Sequence, residues 1–193
     1  MGWGSGGTLA GSVRYTLRWR QQMKHTLFLG LTLAVALFGG ALALQREPGL
    51  PPGTEAPAFE LNTLDGKTVS LAELKGKPVF IDFWATWCGP CRRALPHTQQ
   101  FARKYKGKAH ILTINIREDA KTVRKYLKRH GYSFTVLMDP DGAVAEQYGV
   151  EGIPHFVIID AQGKIFFNQV GFGSGIEKVL EEKLNEAIAK AKK

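Results

Sequence analysis

A short apolar run, Pro78 to Trp84, leads through Ala85-Thr86-Trp87 straight into Cys88-Gly89-Pro90-Cys91, and the residues from Cys91 to Tyr105 have helical spacing. The run PVFIDFW has the length and composition of a strand buried on both faces. A buried strand feeding a helix through so short a turn implies an α/β domain with the cysteine pair at the helix N-terminus. There the backbone N–H groups and the helix macrodipole favour an anion. A thiolate in such a place has its pKa lowered to about 3.5–7.5, and the thiolate is the nucleophile. Cys91, one turn in and beneath Cys88, is placed to attack a mixed disulfide on Cys88 and release a reduced substrate. Pro90 suits the first turn, where its missing N–H costs nothing. Gly89 keeps the approach to Cys88 open.

These two cysteines are the only ones in 193 residues. A disulfide framework would need more, so the pair is redox-active or half of a metal site. Tetrahedral zinc needs four ligands. The chain has no second CxxC, His97 and His155 are isolated, and no closely spaced His pair exists. No metal is therefore expected.

Residues 1–25 contain Arg14, Arg18, Arg20 and Lys24 and no acid. They read as a basic cytoplasmic segment or as sequence upstream of an alternative start at Met23. Residues 26–44 are 19 uncharged residues, about 28 Å as a helix, close to the hydrocarbon thickness of a bilayer. With the basic residues ahead of it, this run is expected to be a transmembrane anchor, N-terminus inside and domain outside. Ala41-Leu42-Ala43 leaves open a cleaved signal peptide and a secreted product. No cysteine near its end supports a lipid anchor. Residues 45–57, with four prolines, form a semi-rigid linker, and residues 58–193 form the folded domain.

The chain carries +9 overall, and its basic residues, scattered or set on helices beside Glu, read mostly as solvated faces. No basic stripe with interleaved aromatics suggests nucleic acid. Within the domain, strands are expected at 59–61 and 67–70 around the turn Asp65-Gly66, then at 78–84, 109–116, 134–138, 155–160 and 164–170. Helices are expected at 91–105, 119–130, 143–148 and at the C-terminus, where Ile176, Val179, Leu180, Leu184, Ala187 and Ile188 share a face. Asp139-Pro140-Asp141-Gly142 is read as a turn. The order suggests a central mixed sheet covered on both faces.

The run Phe80-Ile81-Asp82-Phe83-Trp84-Ala85-Thr86-Trp87-Cys88-Gly89-Pro90-Cys91 closely resembles the active-site strand and helix of thioredoxin. Residues 54–190 are similar to the TlpA/ResA group of membrane-anchored, thioredoxin-like proteins. The hairpin LNTLDGKTVSLAELKGKPV and an inserted helix and strand between Ile116 and Met138 carry that closer likeness. The resemblance implies a thioredoxin fold, no cofactor, and a mainly reducing role outside the cytoplasm, most commonly in cytochrome c maturation. It also implies protein thiol and disulfide substrates and a membrane electron donor of the CcdA/DsbD type.

Carried over residue by residue, Cys88 is the nucleophile, Cys91 the resolving thiol, and Asp82 a buried carboxyl that relays a proton. Trp87, Gly89, Pro90, Ile153 and Pro154 line the substrate groove, with Ile153-Pro154 as the cis-proline loop. His155 either titrates beside that groove or faces solvent at a strand end. Trp84 is expected in the packing, and Arg92 and Arg93 either aid the thiolate or are solvated. One departure stands out: some reducing members have Glu three residues after the second cysteine, and here that residue is Ala94.

Reductases and disulfide-forming oxidases share this motif and differ in redox poise. About −270 mV for thioredoxin against about −120 mV for the strongest exported oxidant is roughly 7 kcal/mol for two electrons. Gly-Pro between the cysteines, with Asp82 present, resembles the reducing end. A peroxiredoxin-like peroxidase shares the N-terminal hairpin but expects a lone cysteine in another motif. A binding module would tolerate loss of the cysteines, and both are present.

Overall fold

The computed structural model describes Met1 and residues 48–192. Apart from Met1, the expected basic segment 1–25, the anchor or signal segment 26–44 and the start of the linker lie outside the described residues. No helix among the described residues is long and apolar enough to cross a membrane.

Strands β1 (Glu60–Asn62) and β2 (Thr68–Ser70) form an antiparallel hairpin, followed by a short 3-10 turn at Leu71–Leu74. The main sheet then uses β3 (Val79–Trp84), β4 (His110–Ile116), β5 (Thr135–Asp139), β6 (His155–Ile159) and β7 (Ile165–Val170), in the order β5-β4-β3-β6-β7. β3, β4 and β5 run parallel, while β6 and β7 are antiparallel additions. The helices are α1 (Gly89–Lys104), α2 (Ala120–His130), α3 (Ala143–Gln147) and α4 (Ile176–Lys190). This is the mixed α/β sheet with flanking helices, N-terminal hairpin and inserted helix-strand expected from the sequence.

β3 is the centre of the sheet, and all six of its residues are buried, as a run apolar apart from Asp82 requires. Strand period then divides its side chains. Val79, Ile81 and Phe83 join Leu112, Ile114, Val157 and Tyr148 on one face. Phe80 on the other joins Phe101 of α1, Tyr105 at its C-cap, and Leu180 and Leu184 of α4. Burying a side chain of this size contributes roughly 1.5–3 kcal/mol. Asp82 has the parity of Phe80, so the same alternation turns it towards α1.

Two local readings change in the structure. Val179 is exposed, whereas Leu180, Leu184, Ala187 and Ile188 are buried. At 100° per residue, Val179 lies roughly 125° from the middle of those four, outside the stripe they bury. The stretch 48–57, read as linker, is tied along β7. Gly53 N–H donates to the Ile165 carbonyl at 2.8 Å and Ala56 N–H to that of Gly163 at 2.9 Å. Glu55 forms a bridge with Lys164, and Leu50 packs on the core.

Candidate active site

β3 ends at Trp84, and the chain crosses Ala85-Thr86-Trp87 to enter α1 at Cys88. Cys88 is the N-cap: its backbone is extended, and its Sγ accepts the Cys91 N–H at 3.1 Å. Pro90 occupies the first turn. Cys88 and Cys91 are joined in a disulfide, with Cα atoms 5.2 Å apart. Cys91 is wholly buried, and Cys88 retains 4% of its surface. The nucleophile's position is thus more enclosed than an open helix end. Trp87 is 64% exposed beside it. Gly89 and Pro90 are half-buried.

A second loop closes over the pair. Ile153-Pro154 is a cis peptide, and the Ile153 carbonyl oxygen lies 3.5 Å from Cys88 Sγ. Pro154 is buried, and its carbonyl accepts the Gly171 N–H at 2.8 Å. The cleft running away from Trp87 and Ile153 encloses about 620 Å³ and also takes in Arg117, Glu146 and Glu151. Of the sequence-predicted groove residues, Trp87 and Ile153 line this cleft, Gly89 and Pro90 follow Cys88 in the first turn of α1, and Pro154 is buried behind Ile153.

Asp82 lies beneath this surface on the central strand and is completely buried. Its Oδ2 accepts the Thr98 hydroxyl at 2.8 Å, from two turns beyond Cys91 on α1. Its Oδ1 has no hydrogen-bond partner among the described residues. Burial pushes its carboxyl from 3.8 up to about 7, and the Thr98 hydroxyl pulls it down only in part. A carboxyl that titrates near neutrality, with an unoccupied oxygen, can hold or give a proton at physiological pH.

His155 corrects both of its sequence readings. It neither faces solvent nor lines the groove: it is fully buried, and neither ring nitrogen has a hydrogen-bond partner among the described residues. Burial lowers its imidazole below the usual range. Its ring packs edge-on to Phe83 and so close to Gly49 that a Cβ there would meet the imidazole at 3.0 Å. Asn168 on the paired strand gives its amide to the Leu50 carbonyl. The tail read as linker thus covers this histidine. Trp84 is buried packing, Arg92 and Arg93 are exposed, and Ala94 is buried with no carboxyl in its place.

One constellation escaped sequence reasoning. The Glu118 carboxylate accepts the Thr86 N–H at 2.7 Å, the Thr86 hydroxyl, and the Asn115 amide at 2.8 Å. It clamps the loop that delivers Cys88 to the end of β4. Thr86 and Glu118 are 32 residues apart, and neither belongs to a local pattern, so only the parallel pairing of β3 and β4 reveals the clamp.

Comparison with known proteins agrees with this site. The Redoxin family model matches residues 51–184. The thiol-disulfide oxidoreductase ResA of Bacillus subtilis (strain 168) is 32% identical over 158 residues, covering 81% of this chain and 84% of its own. Among solved structures, a thiol:disulfide interchange protein of the thioredoxin family from Chlorobium tepidum TLS aligns with a TM-score of 0.62 and 31% identity, covering 72% of this chain and 98% of its own. The pneumococcal exposed lipoprotein thioredoxin Etrx1 from Streptococcus pneumoniae aligns with a TM-score of 0.61 and 32% identity, over 67% and 99%. With a CxxC disulfide at the N-cap of α1 and these relatives, the chain belongs to the Redoxin family, as a ResA/TlpA-like thiol–disulfide oxidoreductase of thioredoxin fold.

Proposed function

We propose that this oxidoreductase works in the reducing direction, on disulfides of exported proteins, from a membrane-anchored position outside the cytoplasm. Apocytochrome c maturation is the role that fits best, with electrons returned by a membrane donor of the CcdA/DsbD type. The observation that carries the reading is Asp82, a buried carboxyl with one oxygen unpartnered, on the strand that leads into the dithiol. The uncharged run 26–44 behind a basic segment supports the location. The name of the related Etrx1, an exposed lipoprotein thioredoxin, is in keeping with it.

In this mechanism the Cys88 thiolate attacks one sulfur of the substrate disulfide, and the other sulfur leaves as a thiolate that takes a proton. Cys91 then loses its proton, with Asp82 in the relay, and attacks Cys88 Sγ. The second substrate sulfur leaves. Two electrons have moved, the substrate holds two thiols, and Cys88–Cys91 is a disulfide. Trp87 and the Ile153 carbonyl flank the incoming segment, and Gly89 and Pro90 keep the sulfur accessible.

The decisive measurement is the reduction potential of the Cys88/Cys91 couple. A value near about −270 mV supports the reductase, whereas one near about −120 mV would assign the protein to disulfide formation. Location is tested by adding protease to intact spheroplasts: a domain left uncut, and recovered in the cytosol, overturns the export reading.

A further inference from the structure

The positive charge of the domain is concentrated, contrary to the scattered pattern read from the sequence. Residues 48–193 contain 21 Lys and Arg against 16 Asp and Glu. Helix α2 alone carries Lys121, Arg124, Lys125, Lys128 and Arg129, and no acidic residue. Outside it the two signs balance at 16 each.

All five side chains are exposed. Arg124 donates to the Leu64 carbonyl and lies 3.6 Å from Asp65. The other four make no ion pair among the described residues. Lys121 with Lys125, Arg124 with Lys128, and Lys125 with Arg129 are like charges at i,i+4, a spacing that disfavours the helix. The macrodipole favours Lys128 and Arg129 in the last turn, but not Lys121 in the first. Folding therefore gains nothing from much of this charge.

The helix that carries the strip packs against the reactive end through its opposite face. Its inward residue Val123, with Tyr126 and Leu127, packs in the apolar cluster that contains Cys88 and Cys91. Its N-cap Asp119 directly follows Glu118, which holds the active-site loop through Thr86.

We propose that the outer face of α2 is a docking surface for an acidic face of the redox partner protein, which it orients so that the partner's cysteines reach Cys88. The proposal rests on the protein-disulfide exchange described above. Complementary charge raises the encounter rate and fixes register, and both effects fade with salt.

The test gives the reduced full-length protein two disulfide-bridged peptides, alike except that one carries a run of glutamates beside its cysteines and the other glutamines. The glutamate peptide should be reduced on the order of tenfold faster (kcat/KM) at low ionic strength, and the advantage should vanish at about 1 M salt, where the screening length is roughly 3 Å. The triple variant Lys121→Glu/Lys125→Glu/Lys128→Glu should lose that preference and keep the glutamine-peptide rate, which reports the exchange chemistry itself. Equal rates on the two peptides for the unmodified protein would overturn the proposal. So would a variant slowed equally on both. A preference for sedimenting with anionic phosphatidylglycerol over neutral phosphatidylcholine vesicles, lost in the variant while the peptides are reduced alike, would assign the strip to a lipid surface instead.

Discussion

Asp82 and Asp139 are both wholly buried carboxyls, on parallel strands of one sheet, yet their surroundings differ. At Asp139, Oδ1 accepts the Val144 N–H at 3.3 Å and Oδ2 the Ala145 N–H at 2.9 Å. Both oxygens are met by the start of α3. Burial raises this carboxyl above its ordinary value, those two N–H groups pull it only partly back, and the neighbouring Asp141 raises it again. At Asp82 one hydroxyl meets one oxygen, and the other has none. Burial alone does not mark a functional acid, since what separates the two is whether fixed dipoles have been supplied to hold the charge. Asp139 ties a turn to a helix, and Asp82 is left able to exchange its proton.

The largest effect tests whether the Asp82 side of the sheet is the reacting side. Cys88→Ser should abolish reduction of an insulin-type substrate and trap nothing. Cys91→Ser should accumulate a covalent mixed disulfide, visible on a non-reducing gel, because nothing remains to resolve it. The opposite pattern would exchange the roles of the two sulfurs.

Asp82→Asn attacks the comparison directly. Proton transfer by a positioned group contributes about 10²–10⁴ in rate, so disulfide reduction near pH 7 should slow at least about tenfold, and its pH profile should lose the step near 7 that Asp82 supplies. Rates unchanged between pH 5 and 9 would leave Asp82 a packing residue. Stability should move the other way. A carboxyl raised from 3.8 to about 7 binds its proton more tightly when folded. Its contribution is then full below pH 3.8 and is lost as pH rises towards 7. That loss amounts to about 4 kcal/mol at 1.36 kcal/mol per unit. The asparagine variant should therefore be more stable than the native protein at pH 8, and no more stable at pH 4, by denaturant titration.

Asp139→Ala should show the reverse signature. Two buried N–H groups lose their acceptor, at a cost of about 2–6 kcal/mol, while kcat/KM of the folded protein stays level. A fall in rate matching that of Asp82→Asn would erase the distinction between the two acids. The smallest effect is expected from Thr98→Val. It removes the hydroxyl that lowers the Asp82 carboxyl, so the midpoint of the pH–rate profile should shift upward with little change in the maximum rate.

Much of this was legible in the residues themselves. The apolar run Pro78–Trp84, the Cys-Gly-Pro-Cys turn, and the strand and helix periods anticipate every strand and α-helix to within about two residues at each end, though not the 3-10 turn at Leu71–Leu74. Parity along β3 even turns Asp82 towards α1. The roles of the second acid were not legible, because Asp139 within Asp-Pro-Asp-Gly reads as an ordinary turn residue. Nor was the burial of His155, whose place after a loop proline suggests a strand end open to water. The cover over it comes from Gly49 and Leu50, more than a hundred residues earlier in the chain.

What the sequence determined by itself is the chemistry and its local frame: two thiols at a helix start, behind a strand too apolar to lie anywhere but in the core. Those features depend on side chains within one or two turns of each other, and the chain carries that information in its spacing. The tertiary structure decided which distant groups meet them. Strand order β5-β4-β3-β6-β7 sets the Ile153 carbonyl against Cys88, brings Glu118 to Thr86, and leaves Asp82 with one hydrogen bond instead of two. Contacts of that kind depend on which strands become neighbours, and that is settled by burying the whole apolar core at once rather than by any local run of residues.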